Sequence, residues 1–306
     1  RPSHGDFTYS AKFGTRNWGG GGRSSARETV NWVAAGAIAK QVLEQSEYNV
    51  RVKAHVNQIG DVRAPAVTFE EMLEHSEEND VRCADPDTAE EMRELAEEIQ
   101  GAGDSVGGSV YFEARGVPRG LGAPRFDSFA SRLGQLVYSI PAVNDFEYGV
   151  GRDARTMRGS EYNEDWQFHD GSREDVTADD GDPVPVGNDH GGIQGGITTG
   201  DPIYGEITWH PPVSIPKKQE TVDWETGERK EIQVVGRHDP TLPPRAVPVV
   251  EALLYCQVLD FMLLGGRINP DRLDGRPGEY DTDYHPGSPV SDPEDADTHA
   301  ETVDED

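Results

Sequence analysis

The first sustained apolar rhythm in the chain begins behind a glycine run. Val30, Val33, Ala34, Ala37 and Ile38 recur at helical spacing, and Ser25-Ala26-Arg27-Glu28 ahead of them has the S-x-x-E spacing that predicts a capping box. Residues 50–59 alternate apolar and polar, which predicts a half-buried strand. Within an acidic segment, 68–100, Thr68-Phe69-Glu70-Glu71 and Asp87-Thr88-Ala89-Glu90 open two helices, the second with Met92, Leu95, Ala96 and Ile99 on one face. A strand over 106–113, a helix over 126–138 and a strand over 143–149 follow. Strands at 203–209 and 231–235 and a strongly apolar helix at 246–264 complete the periodic part. Residues 1–23 and 151–190 lack periodicity and read as loops, the second long enough to suggest function or mobility. The pattern predicts an α/β (α+β) fold with antiparallel strands, one domain over 1–269 that includes the helical arm 68–100, and no repeats. Pro, Gly, Asp and Glu dominate 270–306, which reads as a disordered, solvating acidic tail.

Charge narrows the classes. The formal net charge is −29, from 57 Asp and Glu against 28 Lys and Arg, which argues against nucleic-acid binding. Lysine occurs only at 12, 40, 53, 217, 218 and 230, while the acids are dispersed along the whole chain. That combination points to a cytoplasm at very high salt, where screening removes the self-repulsion. No apolar run approaches the roughly 20 residues of a membrane span, so no membrane partner is expected. Cys83 and Cys256 have no ligand-like spacing, so neither a disulfide nor a metal site is expected. The chain opens at Arg1 in dense, motif-like sequence, which reads as numbering that begins inside a longer protein.

Three clusters could carry chemistry. In Gly19–Thr29 a glycine run feeds a helix start flanked by Arg23 and Arg27, with Ser24 and Ser25 between them. Free backbone N–H groups and bidentate guanidinium groups favour an anion there, although a plain glycine linker fits the same letters. It is not a P-loop, because the Gly-Lys-Ser/Thr ending is absent. In 188–200, two Gly-Gly pairs including Gly195 would let main chain approach a flat ligand, or would simply turn the chain. Arg237-His238-Asp239, shortly before Pro244-Arg245, can clamp an anion and move a proton. His4, in Arg1-Pro2-Ser3-His4-Gly5-Asp6, is unremarkable taken alone.

In this order, RPSHGDFTYSAKFG, RNWGGGGRSSARETVNWVAAGAIAK, GGIQGGITTGDPI and GRHDPTLPPRAVPVVEALL resemble the chorismate synthase family, from Arg1 to about Leu264. The resemblance implies a β-α-β sandwich assembled as a homotetramer. It implies a cytoplasmic lyase that converts 5-enolpyruvylshikimate 3-phosphate to chorismate by 1,4-anti elimination of phosphate and a ring proton. Reduced FMN is the implied cofactor, with NAD(P)H a possible flavin reductant. A truncated, non-catalytic flavin- or phosphate-binding remnant is the alternative.

Carried across by position, the resemblance makes His4 a proton donor to the reduced flavin and Asp239 an aid to proton uptake at its N5. Arg23, Ser24, Ser25, Pro141, Ala142, Gly195 and Arg237 become flavin contacts, Arg237 for flavin or substrate. Arg1 and Arg27 become partners of substrate phosphate and carboxylate. Ser3 stands where the family commonly has glycine, a change expected to be tolerated. His210, Pro211, Pro212, Val213 and Ser214 replace the usual Lys-Pro-Thr-(Ser/Pro)-Ser, so a fixed cation near the flavin becomes a titratable one. The family's other catalytic histidine, in Gly-Glu-Ser-His-Gly, would precede Arg1.

Overall fold

The structure, a computed structural model, describes residues 1–19 and 22–268. The acidic tail expected over 270–306, and Gly20 and Gly21 of the glycine run, lie outside the described residues.

Helix α1 (Asp6–Phe13) comes first, in a stretch expected to be loop, and Gly14 ends it in the left-handed conformation that glycine adopts without cost. Helix α2 (Thr29–Glu44) starts later than the expected capping box. Ser25 accepts a hydrogen bond from the Arg27 N–H at the head of a 3₁₀ turn over Ala26–Glu28, and Glu28 pairs with Arg23 instead of reaching back to Ser25. The buried residues of α2 are Gly36, Ala39 and Leu43, whereas Val30 and Ile38 are two-thirds exposed. The apolar letters chosen from the sequence thus mark much of its open side.

Strands β1 (Arg51–Ile59) and β2 (Val62–Arg63) form a hairpin. Helix α3 (Phe69–His75) has a complete capping box between Thr68 and Glu71. Helix α4 (Pro86–Gly101) is started by the Asp85 carboxylate, which accepts the Thr88 N–H, and by proline in its first turn, where the missing donor costs nothing. Strand β3 (Gly108–Arg115), helix α5 (Phe129–Val137) and strand β4 (Val143–Tyr148) follow as expected within a few residues. The presumed loop 151–190 carries α6 (Gly159–Tyr162) and the small hairpin β5 (Trp166–Phe168) with β6 (Pro183–Pro185). The pair β7 (Ile193–Gln194) and β8 (Ile197–Thr198) turns at Gly195-Gly196, both at positive φ. Strand β9 (Ile203–Trp209), the hairpin β10 (Lys218–Val222) with β11 (Arg229–Gln233), and helix α7 (Pro243–Leu264) complete the order.

The five-stranded sheet runs β2-β1-β3-β9-β4, antiparallel throughout. Helix α7 lies on α2 and on β1 and β3. The two helices approach so closely that a Cβ on Gly36 would sit 2.4 Å from Ala252 Cα, which explains glycine there. Helix α7 is, against expectation, long and apolar enough by composition to cross a membrane. However, 61% of its most apolar window is buried inside the protein, where its residues form the core with Val52, Ala54, Val110 and Phe112.

The outer edge of β1 is covered by two side chains and one main-chain carbonyl. The Val52 N–H donates to Tyr255 Oη at 2.9 Å and the Ala54 N–H to Glu251 Oε1 at 3.0 Å. The Val56 N–H donates to the Arg82 carbonyl at 2.8 Å. An edge that could template another strand is thereby closed. Glu251 also faces Lys53 at 3.3 Å. Burial raises its carboxyl above the usual range and the lysine opposes that rise.

Candidate active site

The open end of the sheet, where β9 runs into His210–Ile215, supports a cleft of about 430 Å³. Pro2 and Ser3 wall one side, and Pro211, Val213 and Ile215 give it an apolar surface. Two segments far apart in sequence close on each other here: His4 Nε2 and Ser214 Oγ are 2.7 Å apart. His4 Nδ1 lies 2.9 Å from the Pro2 carbonyl, which can only accept, so Nδ1 carries the hydrogen. In the neutral ring Nε2 then accepts the Ser214 hydroxyl. Burial holds the His4 pKa below its ordinary value, Arg1 adds to that lowering, and the Pro2 hydrogen bond and Asp6 oppose it.

The main chain around His4 is fixed by Asp6. Its buried carboxylate takes the Arg1 guanidinium at 2.9 and 3.0 Å. Those hydrogen bonds hold the Asp6 carboxyl well below the usual carboxylate range. Arg1 is therefore occupied by an internal partner, and no signal in the sequence marked Asp6 for that role beyond its place in the motif. Ser3 sits at φ +57, a left-handed conformation that costs a non-glycine residue roughly 1–2 kcal/mol. That is the physical reason a glycine suits this position.

Ala142 is likewise left-handed, at φ +67, and its carbonyl accepts the His210 N–H at 3.1 Å. The Pro141-Ala142 turn thus holds the start of the His210–Ser214 segment. The next pairing shifts register between Val143 and Asp145, and Asn144 in the shift lines the cleft. His210, also in the lining, turns Nδ1 to the Pro211 carbonyl at 2.7 Å. Gln219 is also in the lining, and its buried Oε1 takes no hydrogen bond from the described residues. Neither Asn144 nor Gln219 was found by reading motifs, since each becomes visible only once the sheet brings its strand to the cleft.

The remaining candidates divide. Ser24 Oγ comes within 3.8 Å of the Cβ position of Gly5, so Arg23-Ser24-Ser25 lies beside the His4 segment. Arg23 is largely exposed and bound to Glu28 at 2.7 Å, and Arg27 is exposed. Asp239 pairs with Arg245 at 2.9 Å. Its segment is tied to the cleft through one loop, in which the Val106 N–H donates to the Pro240 carbonyl and Ser105 Oγ to that of Pro212. Arg237 is exposed beside it. Gly195 lies elsewhere: its hairpin meets the first residue of α5 through the Phe129 N–H, whereas Pro141 follows the other end of that helix. No cluster of three or more His, Cys, Asp or Glu able to hold a metal occurs among the described residues.

The chorismate synthase family model matches residues 1–263, through every segment that frames this cleft. The chain belongs to the chorismate synthase family. The chorismate synthase of Haloarcula marismortui is 78% identical over the whole of this chain and 74% of its own length. That of Halobacterium salinarum is 73% identical over 94% of this chain and 73% of its own. That of Methanosarcina mazei is 47% identical over 90% and 72%. A crystal structure of chorismate synthase superposes with a TM-score of 0.62 at 26% identity, covering 79% of this chain and 64% of that one. The chain therefore spans about three quarters of the length of its curated relatives. The haloarchaeal relatives agree with the halophilic composition, and the mixed helices and antiparallel sheets with the expected fold class. Membership gives the chain its place in chorismate synthesis, in the shikimate pathway to aromatic amino acids. It does not favour the reading as a non-catalytic remnant.

Proposed function

We propose that this chain, in the cytoplasm, eliminates phosphate from 5-enolpyruvylshikimate 3-phosphate in a 1,4-anti sense with reduced FMN in the cleft beside His4. The observation that carries this reading is the 2.7 Å contact between His4 Nε2 and Ser214 Oγ, which unites two family motifs across the chain. The residues fit a flavin. The apolar wall of Pro211, Val213 and Ile215 suits a planar ring, and the hydroxyl, imidazole and amide groups supply polar contacts along it. Bound there, the cofactor supplies transient electron density as phosphate leaves.

The chain's own groups bind, orient and exchange protons. His4 holds and releases a proton at Nε2, with Ser214 orienting the ring and the Pro2 carbonyl fixing Nδ1–H. Ala142 positions His210 through the backbone at the place where the family carries lysine. Ser24 and Ser25, at the 3₁₀ turn beside Gly5, contribute N–H and hydroxyl donors to an anionic group, with Arg23 and Arg27 adding charge once Arg23 leaves Glu28. Asp239 acts at the flavin edge when released from Arg245, with Arg237 next to it. Arg1 acts on substrate only in exchange for Asp6. Gly195 belongs to the flavin site through a part of it outside this cleft. The lyase acts as a homotetramer, and its flavin is reduced by hydride from NAD(P)H or by another reductant.

Titrating both FMN redox states into wild type and His210→Ala tests the assignment. The variant is expected to lose reduced FMN more than oxidised FMN, because the reduced form is more negative, and His210→Lys to retain both. Equal losses, or none, would mean that His210 packs there and brings no charge to the flavin.

A further inference from the structure

We infer that Gln219 is the residue that recognises the N–H edge of the ring system in this cleft, an assignment that rests on the flavin reading above. Gln219 sits on β10 opposite Ile232, just after an anchored strand start. Before it, Lys217 pairs with Asp104 at 2.5 Å, and the Gln233 amide donates to the Pro216 carbonyl at 2.7 Å. A side chain on so well-anchored a strand start can read a ligand without first being ordered. Gln219 lines the cleft, and its buried Oε1 takes no hydrogen bond from the described residues. Such an acceptor costs about 1–3 kcal/mol while unpaired, so the site gains when an occupant brings a donor.

The occupants of the proposed reaction differ in what they can donate. Phosphate and carboxylate groups are acceptors at neutral pH and would worsen the contact. A flavin ring carries an imide N3–H between two carbonyls, and an amide that accepts from that N–H can donate to the neighbouring oxygen. The apolar faces of Pro211, Val213 and Ile215 favour a flat ring lying edge-on to Gln219. The donor shortage therefore selects the ring's imide edge over its phosphate tail and over the anionic groups of the substrate.

The test is equilibrium titration of the intact protein, wild type and Gln219→Met, with FMN and with N3-methyl-FMN, followed by flavin fluorescence. Wild type is expected to bind N3-methyl-FMN about tenfold more weakly than FMN, the scale of one lost hydrogen bond. Gln219→Met is expected to bind FMN about tenfold more weakly than wild type and to show no preference between the two flavins. Equal binding of both flavins by wild type would overturn the assignment whether or not the variant folds. A variant that keeps the preference would overturn it as well. Failure of wild type to bind either flavin would overturn the flavin reading itself, and this assignment with it.

Discussion

The helix–sheet body and the cleft at its edge use charge in opposite ways. In the body, ionisable groups are few and enclosed: Glu251 and Lys53 sit against the edge of β1, and His55 is 1% exposed in β1. At the cleft, charges lie near the surface and are held by partners that could be exchanged. Arg1 is held by Asp6, Arg23 by Glu28, and Asp239 by Arg245. The body spends its polar groups on closing backbone edges, while the cleft keeps arginines and acids in pairs that an anionic ligand can compete for. Removing a charge should therefore hurt stability in the body and binding at the cleft.

The largest effect is expected from Glu251→Ala. It strips the Ala54 N–H of its acceptor and leaves the half-buried Lys53 ammonium with only the more distant Glu77, at 3.8 Å, a loss of about 3 kcal/mol or more. Chemical denaturation should show it directly, and a loss below about 1 kcal/mol would mean that the edge closure contributes little.

The second effect is a pH dependence. Burial pushes His55 down to about 4, with its Nδ1 accepting the Ala84 N–H at 3.4 Å. Below the unfolded value of ~6.5, the unfolded chain takes up a proton that the folded chain refuses, so stability falls as pH drops from about 6.5 towards 4. The span corresponds to about 3 kcal/mol for this group. Melting curves of wild type and His55→Gln across that window should diverge, the variant being flatter. Parallel curves would show that His55 does not control this loss.

A smaller effect sharpens the contrast from the cleft side. Ser3→Gly should release the strain of the left-handed backbone and stabilise the protein by about 1 kcal/mol or less, since glycine also frees the unfolded chain. Destabilisation would instead mean that the serine side chain contributes a contact worth more than the strain.

The scaffold was more legible in the sequence than the cleft. The pattern at 50–59, the strand read at 203–209 and the apolar run at 246–264 mark β1, β9 and α7, but β1 is not the half-buried strand its alternation predicted, since Ala54 to Asn57 are buried in succession on both faces. The same reasoning failed on α2, whose closest contact is made by Gly36, a residue that carries no hydrophobic signal. Helix α1 was missed because its sequence, DFTYSAKF, has little apolar rhythm and follows a motif that reads as loop. Motifs brought His4 and Ser214 forward separately, but only the sheet shows that they touch. Asn144 depends on a register shift and Gln219 on a missing donor, and neither has a counterpart in a linear pattern.

His4 is proposed to move a proton for a flavin-dependent elimination at the cleft beside its contact with Ser214. Turnover and FMN affinity measured together on His4→Ala in the intact protein test it most directly. Turnover should fall by about 10²–10⁴-fold, the usual contribution of a general acid or base, while FMN affinity changes little. Near-normal turnover would contradict the claim.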